Sequence, residues 1–109
     1  MTYTLWVFTF AETRLFTRIV ADYLADDEYF KLLGKLAADP DLGAVIPGSG
    51  GVRKLRWGQP GRGKRGGVRV IYYVKRRDGV IWMLTIYAKS EAQTIAPDVL
   101  RTIKREIDE

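Results

Sequence analysis

Ten of the chain's 18 lysines and arginines lie between Leu42 and Arg77, a stretch without a single aspartate or glutamate. They are Arg53, Lys54, Arg56, Arg62, Lys64, Arg65, Arg69, Lys75, Arg76 and Arg77. The rest of the chain holds 8 cations against 13 acids, so a block of +10 is joined to a frame of −5. Such asymmetry points to a polyanionic partner, because clustered cations concentrate phosphate-bearing ligands around them. The plainer alternative is a solvated charged surface. A cluster of cations can also do chemistry on RNA, which carries its own nucleophile in the 2′-hydroxyl. The protein then has only to remove that proton, stabilise charge on the phosphorus and protonate the leaving oxygen.

Spacing selects among these cations. Strand alternation in "VRKLRW" (52–57) puts Lys54 and Arg56 on one face, with Leu55 and Trp57 on the other. In "VRVIYYV" (68–74), Arg69 shares a face with Ile71 and Tyr73, and in "VIWMLTIYA" (80–88) followed by Lys89, Thr85, Tyr87 and Lys89 share one. If the cationic faces coincide, Lys54, Arg56, Arg69 and Lys89 converge on one side of a sheet. Arg53, Arg62, Lys64 and Arg65 then supply further phosphate contacts, and Tyr73 and Tyr87 offer rings for base stacking. Like charges disfavour the protonated form of Lys54 beside Arg56 and Arg69, which suits a neutral-amine base.

The segment "GRGKRGGVRV" (61–70) also contains G-x-G-x-x-G-x-V, the letters of a nucleotide-binding loop. In a dinucleotide-binding unit that loop leads into a helix whose amides hold the pyrophosphate, whereas here it leads into a strand. The kinase version lies between strands, but no H-R-D or D-F-G sequence is present, and no G-K-[ST] of a phosphate loop occurs. The glycines instead let a backbone carrying Arg62, Lys64 and Arg65 approach an irregular polyanion closely.

Composition narrows the chemistry further. The 109 residues hold no cysteine and no histidine, which removes thiolate metal sites, disulfides and the usual neutral-pH base. Neither a metal nor a cofactor is expected. The start, "MTYTLWVFTF", lacks a basic n-region and a long apolar run, so a cytoplasmic protein that does not engage a membrane is expected.

The elements that must position these residues form one α+β domain over residues 1–109, with a mainly antiparallel sheet of about four strands, two N-terminal helices and a C-terminal helix. "YTLWVF" (3–8) reads as the first strand, and Thr9 with Glu12 as a capping box before a helix bearing Phe16, Ile19, Val20 and Tyr23. A second helix begins near Asp26 or Asp27, carries Tyr29, Leu32, Leu33 and Leu36 on one face, and stops at Pro40. The strands at 52–57, 68–74 and 80–88 follow, the last two joined by a turn at Asp78-Gly79. Pro97 opens the final helix, with Leu100, Ile103 and Ile107. All helices are expected on one sheet face.

The run "LGAVIPGSGGVRKLRWGQPGRGKRGGVRVIYY" (42–73), followed by "MLTIYAKSE" (83–91), resembles the HigB-like branch of the RelE/ParE toxins of bacterial toxin–antitoxin modules. The loop, the R-V-I-Y-Y strand and the Y-A-K strand end occur in the order found there, and the order of elements extends the likeness to nearly the whole chain. The resemblance implies a microbial RNase-like fold and metal-independent mRNA cleavage in the ribosomal A site, against 16S rRNA. It also implies a helix-turn-helix antitoxin, through which alone the toxin reaches operator DNA. Lys54, Arg56, Arg69 and Lys89 correspond to the basic residues of the RelE-type site. Where that type has a further arginine this chain has Ser90, and its C-terminal tyrosine falls near Ala96. Tyr87 is available for the stacking, and Arg62, Lys64 or Arg65 for the charge. The superfamily also includes gyrase poisons, so a noncatalytic toxin of the ParE kind and a passive RNA-binding module are the alternatives.

Overall fold

The computed structural model describes residues 8–58, 67–91 and 96–108. Its elements are β1 (Thr9–Glu12), α1 (Arg14–Ile19), α2 (Asp26–Ala38), β2 (Ala44–Val45), β3 (Arg53–Trp57), β4 (Val68–Lys75), β5 (Val80–Ala88) and α3 (Pro97–Asp108). The five strands form one mixed sheet in the order β1-β5-β4-β3-β2, with β1 parallel to β5 and the other pairings antiparallel.

The capping box expected at Thr9 and Glu12 is corrected. The first strand among the described residues is Thr9–Glu12, and of the stretch 3–8 expected as a strand, residues 3–7 lie outside the described residues. Thr9 and Glu12 are therefore strand residues, and Thr13 caps α1, its hydroxyl accepting from the Phe16 amide at 3.1 Å. The same hydroxyl donates to the Leu84 carbonyl at 2.8 Å, while the Thr13 amide donates to the Met83 carbonyl. The cap is thus chosen by contact with β5, which no local pattern encodes. The sheet also gains the two-residue β2 beyond the expected strands. α2 begins at Asp26, where the Glu28 carboxylate reaches back to the Ala25 amide at 2.9 Å.

The helices do not share one face. On one side Phe16, Leu24, Leu32 and Leu36 pack on Leu55, Val68, Val70, Tyr72, Ile81, Met83 and Ile86. Each fully withdrawn aliphatic or aromatic side chain there contributes about 1.5–3 kcal/mol. On the opposite side Leu100, with Ile103 and Ile107, packs on Val52, Ile71 and Leu84. The reason lies in the alternation of β4 and a bulge in β5. Ile71 pairs with Thr85 but Tyr72 pairs with Met83, so Leu84 is an extra residue, and it joins Ile71 on the α3 side. That face also carries Lys54, Arg56 and Arg69, and α3 packs on it at Val52, Ile71 and Leu84.

Candidate nucleic-acid interface

The cationic part of the α3 face is assembled by register. Arg56 is opposite Arg69, and Arg69 is opposite Tyr87, so the three lie in one row across β3, β4 and β5. Directly opposed residues have Cα atoms about 4.5–5.5 Å apart. Lys54, two residues from Arg56, is opposite Ile71 on the same face. Lys89 follows the end of β5 in a turn, and its amide donates to the Gly67 carbonyl at 3.3 Å, one step beyond the Val68–Ala88 pair. Arg56 and Lys89 are exposed, while Lys54, Arg69 and Tyr87 are half-buried.

Opposed arginines do not stabilise a sheet. Like charges on directly opposed cross-strand residues are unfavourable generally. Among the described residues no aspartate or glutamate forms an ion pair with Lys54, Arg56 or Lys89. Arg69 Nη1 approaches the Val68 carbonyl at 3.5 Å and lies close enough to Tyr87 to act on its phenol. Burial pushes the Tyr87 phenol above its ordinary pKa and the Arg69 charge partly offsets this, so the hydroxyl stays protonated near neutral pH. The row and its neighbours therefore bring together two guanidinium groups, two ammonium groups and a partly buried phenol. Guanidinium groups in general can take oxyanions bidentately.

The rest of the basic block is distributed otherwise. Arg53, expected among the RNA contacts, is on the opposite face of β3 with Leu55 and Trp57. Its guanidinium donates to the Gly43 carbonyl at 2.6 Å and pairs with Asp41 at 3.1 Å. Tyr73 likewise lies away from the row, under α3, with Lys104 Nζ 5.3 Å from its ring centroid. Its hydroxyl is 3.5 Å from both Asp108 carboxylate oxygens. Lys75, Arg76 and Arg77 are at the far end of the β4–β5 hairpin, where Lys75 pairs with Asp78 at 2.9 Å and Arg76 with Asp41. They help to line a hollow of about 200 Å³ beside the C-terminus of α3, with Asp108 contributing an opposing charge. Arg62, Lys64 and Arg65 lie outside the described residues. Of the ten cations in the sequence block, Lys75, Arg76 and Arg77 thus form a hairpin cluster beside acids, Arg53 pairs with Asp41, and Lys54, Arg56 and Arg69 share one face of the sheet.

No signal in the sequence marked the turn that carries Lys89. Ala88 and Glu91 close it through a hydrogen bond from the Glu91 amide to the Ala88 carbonyl, and the Glu91 carboxylate accepts from the Ala88 amide at 2.8 Å. The same carboxylate accepts from the Tyr23 hydroxyl at 2.7 Å, across 68 residues of chain.

No family model matches the chain. Among solved structures it is similar to the conserved hypothetical protein HP0892 from Helicobacter pylori, with a TM-score of 0.56 at 16% identity over 77% of this chain and 97% of that one. It is also similar to a double arginine-to-alanine variant of the E. coli toxin RelE in the free state, with a TM-score of 0.55 at 17% identity over 90% and 96% of the two chains. The fold is RelE-like. The α+β architecture expected from the sequence therefore stands, with a fifth strand, one parallel pairing and α3 on its own face as the refinements. Among the described residues no helix is long and apolar enough to cross a membrane.

Proposed function

We propose that the chain is the toxin of a type II toxin–antitoxin module, of the HigB-like branch, and that it is an endoribonuclease cutting mRNA in the ribosomal A site. The observation that carries this reading is the in-register Arg56–Arg69–Tyr87 row with Lys54 and Lys89 beside it, an open cationic array on a RelE-like fold. A phosphate backbone is the ligand whose charge complements this array.

In the proposed reaction the Lys54 amine takes the proton of the RNA 2′-hydroxyl. The 2′-oxygen attacks the adjacent phosphorus while the bond to the 5′-oxygen breaks. Arg56 and Arg69 hold the non-bridging oxygens as negative charge gathers on them. Lys89 holds a neighbouring phosphate or gives a proton to the departing 5′-oxygen. The products are a 2′,3′-cyclic phosphate and a 5′-hydroxyl, and no metal is required. A helix-turn-helix antitoxin would neutralise the toxin in the cell, and operator DNA would be reached only through it. Cytoplasmic action follows from the substrate.

The test is induction of the wild type and of Arg69→Ala, with primer extension on cellular mRNA. Wild-type protein is expected to arrest growth and leave translation-dependent cuts, and Arg69→Ala to fold normally and leave none. Undiminished translation arrest by Arg69→Ala would overturn the assignment, as would DNA breaks and an SOS response without mRNA cuts.

A further inference from the structure

Lys89 is the exposed member of the cationic row that follows the end of a strand, and the turn 88–91 has to hold it in place. Three contacts fix that turn. Its backbone closes between Ala88 and Glu91, its Lys89 amide donates to the Gly67 carbonyl, and the Glu91 carboxylate binds both the Ala88 amide and the Tyr23 hydroxyl. Tyr23 follows the short 3₁₀ turn Val20–Asp22 after α1, and it packs against the main core. Glu91 therefore ties the site-bearing end of β5 to the helical layer on the other side of the sheet.

We infer that Glu91, clasped by Tyr23, is a positioning residue that aims Lys89 at RNA phosphate. The inference rests on the RNA-binding reading above. A carboxylate so near a phosphate-binding row is unfavourable by charge alone, since it repels the ligand; its position is explained by what it holds. The hydrogen bond from Tyr23, and then that from the Ala88 amide, hold the Glu91 carboxyl below the usual carboxylate range. The same bond, foremost, raises the Tyr23 phenol. Both groups thus keep the protonation states the clasp needs throughout neutral pH.

The sign of the effect distinguishes positioning from electrostatics. Removing the negative charge of Glu91 strengthens phosphate binding if the residue acts only through its field, and weakens it if the residue aims Lys89. The measurement is the affinity for a single-stranded 2′-O-methyl RNA, which cannot be cleaved, at a temperature where circular dichroism shows each variant folded. Glu91→Ala is expected to weaken binding about three- to tenfold, the range for loss of one or two partly hydrated hydrogen bonds. Tyr23→Phe, which changes no charge, should weaken it about two- to fivefold. In a Lys89→Ala background neither substitution should weaken binding further. Wild-type or tighter binding by Glu91→Ala would overturn the inference, and so would an equal loss with and without Lys89. Cleavage of unmodified RNA by the wild type, assayed in parallel, reports on the nuclease reading separately: a protein that binds but does not cut refutes catalysis while the clasp stands on the affinities.

Discussion

Replacing Arg69 by glutamine tests whether the open half of the sheet is where phosphates bind. Four cations share that surface, Lys54, Arg56, Arg69 and Lys89, and each that neutralises a phosphate releases a counterion. For single-stranded nucleic acid the slope of log affinity against log salt is about −0.7 per phosphate, so these four supply about −2.8. Between 50 and 200 mM salt their contribution weakens binding about 50-fold. Arg69→Gln should bring the slope from these residues to about −2.1, and the loss over the same range to about 20-fold. Any phosphate contact made by Arg62, Lys64 or Arg65 would enter the total but not the difference. Arg18→Gln is the control, because Arg18 is exposed on α1, which packs on the other sheet face. The assay is fluorescence anisotropy of labelled 2′-O-methyl RNA over that salt series. An unchanged slope in Arg69→Gln, or an equal change in Arg18→Gln, would refute the placement of the interface.

Other consequences concern the frame that holds the row. Tyr72 is fully buried, and its hydroxyl donates to the Pro40 carbonyl at 2.7 Å and accepts from the Gly43 amide at 2.8 Å, so Tyr72→Phe strands two polar groups. It should cost about 2–4 kcal/mol in urea unfolding, and a loss below about 1 kcal/mol would show that the loop finds other partners. Gly67 has φ +50°, and a Cβ there would sit 2.3 Å from the Trp57 carbonyl oxygen, so Gly67→Ala must push the start of β4 away from β3. Lower melting temperature together with weaker RNA binding is expected, because Arg69 and the Lys89 turn both depend on that junction. Asp108 is held below the ordinary aspartate pKa chiefly by Lys104, 2.9 Å away. A lowered folded pKa means that this contribution to docking α3 is complete above the ordinary value and is lost as pH falls through the folded one. Amide exchange in α3 should therefore accelerate relative to β4 as the solution is acidified below about pH 4, and Asp108→Asn should remove that pH dependence.

The parts of this fold that could be read from sequence are those whose signal is local. The alternation in "VRVIYYV" and "VIWMLTIYA" places β4 and β5, the stripe of Leu32 and Leu36 places α2, and Pro97 marks the start of α3. Faces within a strand follow from the same two-residue period, which is why Lys54 and Arg56 separate correctly from Leu55 and Trp57. Errors arose where a distant partner overrides local preference. Thr9 and Glu12 have the letters of a capping box, but pairing with Val80 and Met83 makes them a strand, and Thr13 takes the cap because β5 offers it a carbonyl. Arg53 and Tyr73 stand apart from the row because Asp41 and Gly43 hold Arg53 on the other face of β3 and Tyr73 packs with the α3-side core.

By itself, then, the sequence determined which residues are strand and helix over most of the chain, how side chains alternate, and that a third of it is a cationic block without an acid of its own. Those properties depend on neighbours a few residues away. The tertiary structure alone decided that Arg56, Arg69 and Tyr87 stand in one row, that α3 packs on their face at Val52, Ile71 and Leu84, and that Glu91 meets Tyr23. Each of these joins segments far apart in the chain, and register, bulge position and packing are settled only when the sheet closes, since a one-residue shift in pairing would send every cation to the opposite face.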